Sequence, residues 1–326
     1  MQIGEKRKAL MGDMYAYVSD IVTHAIQKKR KLIVWGCGKG GAFLTHLICD
    51  IDGRIPVSYY IDEYITLPCG YIQGNICRSS LLWYVDLKEY IILLTIRKDE
   101  RVEKQLAELG CEKNRDYFDI RSEVGGSYLE HLERKYKDVD FSYVTKEERP
   151  DLYSGEYYES KPFDHSSIDH VFEEIKNLPC EKSFMDIGCG KGQILLMAVM
   201  SEMVKVGGIE WNADIAKICR NNMNKLDVSA DIVTGDATEY KDIDGYSIFF
   251  LYNPFGENGV RKVVHNILES RKRRNRDIFL VYGNPFYHRE VVEGGNVRLY
   301  LQVRVDLYDP LLNIYKIGEE NEQSSD

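Results

Sequence analysis

The sequence predicts an α/β protein made of two units, in each of which strands and helices alternate along the chain. The first observation is a repeated pentapeptide, GCGKG, at Gly36–Gly40 and Gly188–Gly192. Each copy follows a short apolar run, LIVW or FMDI, and precedes a helix-like segment. The second observation is the length of 326 residues, which is typical of two domains. A glycine turn between a strand and a helix can bring a bound cofactor close to the backbone.

The first unit is predicted over residues 1–125. An amphipathic helix over residues 5–29 precedes the strand LIVW, the glycine turn and a helix that extends to about Cys49. The strands VSYYID, YIILLTI and NRDYFDI follow, and the helix DERVEKQLAELG ends at Gly110, a normal C-terminal signal. This alternation predicts a small parallel α/β sheet.

A linker is predicted over residues 126–160, where the alternation stops and the chain becomes charged and rich in tyrosine. The last residues, 318–326, are acidic and polar, and they are predicted to be a disordered tail.

The composition argues against several classes of function. The net charge of −9 disfavours a protein that coats nucleic acid, and the basic runs KKRK and RKRRNR are interpreted as solvated helix ends. The longest apolar runs are too short to span a bilayer, and the N-terminus lacks the apolar core of a secretion signal. The eight cysteines form no CxxC pair and no zinc-ligand spacing, so we expect reduced thiols, no metal site and a cytoplasmic location.

The second unit is predicted over residues 161–317, and candidate binding residues follow four of its strands. The strands are KSFMDI, VGGIE, ADIVTG, SIFFLYN and DIFLVYG, with VRLYLQVRV and NIYKI at the end. The carboxyl ends of parallel strands form the edge at which open α/β sheets bind ligands. One site is therefore predicted from the residues at four strand ends: Asp186 before the glycine turn, Glu210 with Trp211, Asp236 with Ala237, and Asn253.

This ordered set resembles the class I S-adenosylmethionine-dependent methyltransferases, which have a Rossmann-like fold. The resemblance covers about residues 160–326 and implies a seven-stranded sheet that ends in an antiparallel hairpin. It implies that Asp186 helps to bind the amino group of the cofactor. It also implies that the glycine turn holds the methionine part of the cofactor, through Gly188, Gly190 and Gly192.

The resemblance further implies that Glu210 binds the two ribose hydroxyls and that Asp236 contacts the adenine amino group. A carboxylate can accept two hydroxyl hydrogen bonds, and charge-assisted hydrogen bonds are the strong ones. Trp211 could cover one face of the adenine ring by stacking. The alternative interpretation is a structural glycine turn with acidic surface residues around it.

The first glycine turn differs from the second at two positions. Val34 stands where the second turn has Asp186, and three glycines complete a G-x-G-x-x-G pattern: Gly36, Gly38 and Gly41. Asp62 is a candidate ribose ligand at about the spacing of a dinucleotide site. The unit also resembles the small N-terminal Rossmann-like unit of some bacterial glycan-biosynthesis enzymes. The first turn is therefore predicted either to bind a nucleotide, a nucleotide-sugar or NAD, or to have a structural or interaction role.

The sequence LYNPF suggests where the methyl acceptor lies. It resembles the Asn/Asp-Pro-Pro-Tyr/Phe motif of methyltransferases that act on amino groups of bases or of glutamine side chains, with one proline missing. The chain is also similar to the non-SET histone lysine methyltransferases in the order of its motifs. The resemblance implies four catalytic candidates, Tyr252, Asn253, Pro254 and Phe255, with Asn253 accepting a hydrogen bond and the aromatic ring stacking on the acceptor. The alternative is an ordinary Asn-Pro turn.

Two further segments are candidates for the acceptor side. A second NPF at Asn284–Phe286 could line the pocket with Tyr287 and His288, and His288 could act as a general base. In related enzymes a segment placed like GEYYESKPFDH folds over the cofactor. This implies lid residues, or alternatively plain loop packing, at Tyr157, Tyr158 and Phe163.

The function expected from the sequence is an S-adenosylmethionine-dependent methyltransferase that acts on a nitrogen or an oxygen of a small molecule, a glycan or a protein. One alternative is a nucleotide- or NAD-binding oxidoreductase with its chemistry in the first unit. Another is a non-catalytic protein that binds S-adenosylmethionine. The sequence does not identify the acceptor or the oligomeric state.

Overall fold

The first unit is a parallel sheet with helices. Its helices are α1 (Glu5–Gln27), α2 (Lys39–Asp52), α3 (Glu100–Glu108), α4 (Ile120–Val124) and α5 (Tyr128–Lys135). Its strands are β1 (Lys31–Trp35), β2 (Val57–Ile61), β3 (Ile76–Cys77), β4 (Tyr90–Leu94) and β5 (Tyr117–Asp119). The strands pair in parallel in the order β3-β2-β1-β4-β5. Two short 3₁₀ turns, Ser79–Trp83 and Leu87–Glu89, precede β4.

The long helix α1 forms because its apolar residues recur on one face. Met11, Met14, Val18, Ile21 and Ala25 are buried along α1 at helical spacing. The strands β1 and β4 are almost entirely buried, as expected for the centre of a parallel sheet that is covered on both faces.

The second unit contains a larger, mixed sheet. Its helices are α6 (His165–Lys176), α7 (Gln193–Met200), α8 (Ala213–Lys225), α9 (Glu257–Arg273) and α10 (His288–Val292). Its strands are β6 (Ser183–Ile187), β7 (Lys205–Glu210), β8 (Asp231–Thr234), β9 (Ile248–Tyr252), β10 (Ile278–Gly283), β11 (Val297–Val303) and β12 (Leu312–Ile317). The order is β11-β12-β10-β9-β6-β7-β8, and only β12 runs antiparallel to its two neighbours.

The predicted fold class is confirmed. The second sheet has seven strands and ends in the antiparallel pair β11 and β12. The order of β9, β6 and β7 places the ends of β6 and β9 side by side, because β6 pairs with β9 on one edge and with β7 on the other. The reversal of strand order beside β6 creates the crevice at which open α/β sheets bind ligands.

The computed structural model describes residues 5–52, 57–66, 72, 74–142, 165–252, 254–293, 295–303 and 312–318. The chain divides into two compact units, of which the first extends to Lys135 and the second begins at Tyr136. The first unit therefore includes α5, which lies within the stretch predicted as a linker. Three candidate lid residues, Tyr157, Tyr158 and Phe163, lie outside the described residues.

None of the helices in these described ranges is both long and apolar enough to cross a membrane. Within the same ranges, no group of three or more His, Cys, Asp or Glu side chains is arranged to hold a metal ion. The described cysteines are free thiols.

Candidate functional site

The second glycine turn joins β6 to α7 and requires glycine at two of its positions. Gly188 and Gly192 have φ angles of +88° and +89°, where other residues are strained. A Cβ at Gly188 would lie 2.8 Å from Cβ of Pro254, and a Cβ at Gly192 would lie 2.7 Å from Sγ of Cys219. Gly190 also has a positive φ of +52°. Glycine is thus required at these positions by the positive φ angles and by close packing against Pro254 and Cys219.

Asp186 lies at the fourth position of β6, directly before the turn, and is 3% exposed. No hydrogen-bond donor or cation among the described residues contacts its carboxylate. Burial raises the pKa of Asp186 well above its ordinary value, and the nearby charge of Glu210 raises it further. A buried carboxylate without a partner is costly, so the site favours a ligand that brings a positive charge to it.

Glu210 ends β7 and reaches back to the glycine turn. Its Oε2 accepts a hydrogen bond of 3.1 Å from the Gly190 amide, and its Oε1 accepts one of 2.9 Å from the Asn212 amide. Burial raises the pKa of Glu210, and the backbone hydrogen bonds partly offset that rise. The Trp211 amide also contacts this carboxylate, so a ligand hydroxyl would share it with three backbone N–H groups.

The residues beside Glu210 complete this edge of the sheet. The Trp211 ring is 38% exposed. Asn212 caps α8 by accepting hydrogen bonds from the amides of Asp214 and Ile215. These caps fix the direction in which the chain leaves β7.

Asp236 and Ala237 follow β8 on the next strand. The Gly235 amide donates a 3.0 Å hydrogen bond to the Glu210 carbonyl, which brings the loop after β8 beside the end of β7. Asp236 is exposed, and its Oδ1 accepts a hydrogen bond of 2.8 Å from the Thr238 amide. Ala237 is partly buried against the core of the unit. Asp236 thus presents a carboxylate to solvent at the same edge of the sheet as Glu210.

The NPF turn after β9 meets the glycine turn through its proline. Pro254 contacts Gly188 closely enough that a Cβ on Gly188 would clash with it. Tyr252 is partly buried and packs over Gly283 of the neighbouring strand, where a Cβ would come within 2.4 Å of the ring. The structure therefore brings the end of β9 to the second glycine turn. Asn253 lies outside the described residues.

The position of Phe255 differs from what stacking on an acceptor requires. Its side chain is 6% exposed and belongs to the core cluster of the second unit. A Cβ at Gly259 in α9 would lie 2.4 Å from Cβ of Phe255, so the ring is held under the start of α9. Phe255 packs against the first turn of α9 as part of the core, and this placement favours a packing role.

The second NPF turn presents a different aromatic ring. Phe286 is 77% exposed after β10, and it contacts Tyr287 edge-on with ring centroids 5.2 Å apart. Asn284 has a φ of +49° in this turn, which asparagine tolerates better than most residues. An exposed phenylalanine at a strand's carboxyl end is a better candidate for acceptor stacking than the buried Phe255.

His288 starts α10 and is held by a chain of polar side chains. Its Nδ1 lies 2.8 Å from the Tyr315 hydroxyl, which accepts a 2.8 Å hydrogen bond from Asn313 Nδ2. Asn313 Oδ1 accepts in turn from Gln302. Either the Tyr315 hydroxyl or His288 Nδ1 can be the donor in their hydrogen bond, because the hydroxyl oxygen has two lone pairs. A general-base role of His288 stays a prediction. Burial raises the pKa of Tyr315 to about 12, so the hydroxyl stays protonated.

Sequence reasoning missed three residues that pack against the glycine turn: Asp140, Lys191 and Asn222. The Lys191 ammonium lies 2.7 Å from Asp140 Oδ2, and Nδ2 of the fully buried Asn222 donates to the carbonyls of Asp140 and Lys191. A helical wheel of α8 could have found Asn222, because it shares a buried stripe with Ala216 and Cys219. The pairing of Asp140 with Lys191 could not be found in this way, because the two residues are 51 positions apart in the sequence.

The first glycine turn has a similar backbone but different surroundings. Gly36 has a φ of +109°, and a Cβ at Gly41 would lie 1.9 Å from the Gly36 carbonyl oxygen. A Cβ at Gly38 meets only Ile65 at 3.8 Å. The pattern is thus required at Gly36 and Gly41 for close packing of strand and helix.

Asp62 is bonded to the backbone around the first turn. Its Oδ2 accepts a hydrogen bond of 2.8 Å from the Cys37 amide. Its Oδ1 accepts hydrogen bonds from the amides of Tyr64, at 2.8 Å, and Ile65, at 2.9 Å. Val34 is fully buried in β1 where the second unit has Asp186. The first turn therefore lacks a buried acid at that position, and the hydrogen bonds of Asp62 stabilise the turn itself.

Comparison with known proteins found solved structures that are similar to part of the chain. No protein-family model matches the sequence, and no curated protein matches it significantly. An RNA methyltransferase from Salinibacter ruber, in complex with S-adenosyl-L-homocysteine, matches 51% of this chain and 99% of its own, with 18% identity and a TM-score of 0.39. A tRNA (uracil-54, C5)-methyltransferase from Pyrococcus abyssi, in complex with the same molecule, matches 48% of this chain but only 39% of its own, with 15% identity and a TM-score of 0.39. At these scores the comparisons decide nothing about activity, which has to be inferred from the site residues.

Proposed function

We propose that the second unit binds S-adenosylmethionine and that the protein is a methyltransferase. The observation that carries this proposal is Asp186, a buried carboxylate at the glycine turn that no cation among the described residues neutralises. S-adenosylmethionine brings an ammonium group and a sulfonium, and both are positively charged. A cationic ligand at Asp186 would offset the cost of burying its charge.

The charges around the turn argue against a phosphate-containing cofactor. A lysine in a glycine turn can bind phosphate, but the Lys191 ammonium is paired with Asp140 at 2.7 Å. Asp186 and Glu210 add two buried carboxylates beside the same turn. A nucleotide's phosphates would be repelled there, which disfavours NAD or a nucleoside triphosphate as ligand of this turn.

The remaining residues fit the other parts of the donor. The Glu210 carboxylate, which also accepts hydrogen bonds from backbone amides, is proposed to bind the ribose hydroxyls, and the exposed carboxylate of Asp236 can accept from the adenine amino group. The accessible ring of Trp211 can cover the adenine face. We propose that the glycine turn, through Gly188, Gly190 and Gly192, binds the methionine part.

The acceptor is proposed to bind at the ends of β9 and β10. When bound, the donor supplies an electrophilic methyl group on sulfur, and the protein must align a lone pair with it and exclude water. Pro254 packs on Gly188 and so positions the end of β9 next to the turn. We propose that Tyr252 and Asn253 orient a nitrogen or an oxygen of a small molecule, a glycan or a protein, and that Phe286 contacts the rest of it.

Calorimetry and an activity assay test this proposal. The full chain should bind S-adenosylmethionine and S-adenosylhomocysteine, and mass spectrometry of the gently purified protein should reveal co-purified small molecules for use as acceptors. Binding without methyl transfer to any such acceptor would favour a non-catalytic protein. Binding of NAD, but not of S-adenosylmethionine, would favour an oxidoreductase.

A further inference from the structure

A short segment of the second unit, residues 138–142, lies across α8 and the glycine turn, and we call it the strap. Val139 and Phe141 are buried on either side of Asp140. Asn222 is fully buried and makes a paired contact with Asp140, whose amide donates to Oδ1 at 2.9 Å and whose carbonyl accepts from Nδ2 at 2.7 Å. Asn222 Nδ2 also donates to the Lys191 carbonyl at 3.0 Å. One asparagine side chain thus fixes the strap to the turn.

Among the described residues, Lys191 forms an ion pair with Asp140. The Lys191 ammonium lies 2.7 Å from Asp140 Oδ2 and 3.2 Å from the Ser142 hydroxyl, and the lysine side chain is only 11% exposed. Burial alone would raise the pKa of Asp140, but hydrogen bonds from Lys191 and Ser142 outweigh it and hold the pKa below its usual value. Asp140 is therefore ionised at neutral pH.

Lys191 is the cation that lies within the glycine turn itself, between Gly190 and Gly192. The proposed function puts the methionine part of the donor, with its sulfonium, at this turn, so we infer that the Lys191 charge acts on it. The donor carries one more positive charge than the product, S-adenosylhomocysteine, whose sulfur is neutral. A free ammonium in the turn would therefore disfavour the donor more than the product.

We propose that Asp140 is a specificity-determining residue, which neutralises Lys191 so that the site prefers the charged donor over the neutral product. The proposal rests on the proposed function and extends it to product discrimination. It also gives the strap a role: Asn222 places Asp140 against the turn, so Asn222 is a positioning residue.

The test compares the dissociation constants of S-adenosylmethionine and S-adenosylhomocysteine, measured by calorimetry on the full chain. Asp140→Asn should shift their ratio about fivefold against the donor, since it leaves the Lys191 ammonium at the glycine turn without its carboxylate partner. Lys191→Met should shift the ratio in the opposite direction, toward the donor. The double variant should restore the wild-type ratio.

The matched control is Asp138→Asn. Asp138 is also in the strap, but its exposed carboxylate lies 3.8 Å from Lys225, away from the glycine turn. This change should leave the ratio within about twofold of the wild type, because a solvent-exposed charge is well screened. A structural role of the strap alone would weaken both ligands together and would not give shifts of opposite sign.

Two outcomes overturn the proposal. An unchanged ratio in both Asp140→Asn and Lys191→Met, in a protein that binds both ligands, would overturn this proposal and leave the proposed function standing. If the wild type binds neither ligand, the proposed function itself is wrong. If Asp140→Asn does not fold, the Lys191→Met shift and its reversal by Asp140→Asn in the double variant decide the question.

Discussion

Asp186 is the residue whose surroundings most restrict what the site can bind. It was predicted from its place before the glycine turn, and the structure adds that it is buried next to Glu210 without a cation among the described residues. A folded-state pKa above the ordinary value means that the folded protein holds a proton more tightly than the unfolded chain. The stability linked to this group is fully present below pH 3.8 and is lost as the pH rises through the raised pKa.

The first prediction concerns the stability of the ligand-free protein. Asp186→Asn should stabilise it by about 1–2 kcal/mol at pH 8, because the variant removes a buried charge and its repulsion from Glu210. The gain should shrink as the pH falls toward 4, where Asp186 of the wild type is itself protonated. Urea unfolding at several pH values measures this difference. A gain that stays constant with pH would contradict the raised pKa.

The second prediction concerns proton exchange on binding. A cationic ligand at Asp186 lowers its pKa, so binding of S-adenosylmethionine at weakly acidic pH should release protons, and the affinity should rise with pH over that range. Calorimetry in two buffers of different ionisation enthalpy measures the number of protons released. The release should disappear in Asp186→Asn. Equal proton release in the variant would assign the effect to another group.

Some site residues followed from the sequence and others did not. Asp186, Glu210 and Asp236 could be predicted because each stands at the end of a parallel strand, where topology brings residues together. The burial of Phe255 could not, since the same NPF letters end in an exposed ring at Phe286. The difference comes from Gly259, whose lack of a side chain lets α9 close over Phe255.

At the scale of elements, the glycine turn is held by tight packing against α8. Gly192 caps the start of α7 in the left-handed region, and its Cα faces Cys219 and Met223 of α8. Alternating apolar runs and glycines were enough to predict β6, the turn and α7. The two-residue strand β3 was not predicted, because two residues carry no periodicity.

The third prediction tests this packing. Gly192→Ala should destabilise the protein by about 1–3 kcal/mol, since the new Cβ would lie 2.7 Å from Cys219 Sγ at a φ of +89°. Gly235→Ala is the matched control, because a Cβ there has nothing within 4 Å. Denaturant unfolding should show a loss for the first and less than about 0.5 kcal/mol for the second. Equal effects would contradict the described packing of the turn.

The basic runs also find their explanation at the scale of elements. Arg273 and Arg274 pair with Asp244 and Glu181 around the end of α9. Arg276 is buried, and its guanidinium donates to the carbonyls of Tyr246 and Ile243. These contacts join the end of α9 to the loop before β9. Arg273 and Arg274 thus lie at a helix end, where the sequence analysis placed them. The burial of Arg276 was not foreseen.

At the scale of the whole molecule, the chain contains two glycine turns of nearly the same sequence in different surroundings. The second has two buried acids at the carboxyl edge of its sheet, whereas the first has Val34 in place of one and an Asp62 that is already bonded to three backbone amides. The two-unit α/β organisation could be predicted from the repeated motif. The two turns are predicted to have different roles because Val34 replaces Asp186 and Gly41 adds a glycine, and the hydrogen bonds of Asp62 agree with that prediction.

The most direct test of this account is calorimetric titration of S-adenosylmethionine into the full chain and two matched variants. We expect the wild type to bind one molecule per chain, and Glu210→Ala to weaken binding by about 2–4 kcal/mol, since the ribose hydroxyls lose a charged acceptor. Asp62→Ala, the equivalent change at the first turn, should leave the affinity within about 0.5 kcal/mol. Equal losses from both changes, or no binding by the wild type, would contradict the assignment of the donor to the second glycine turn.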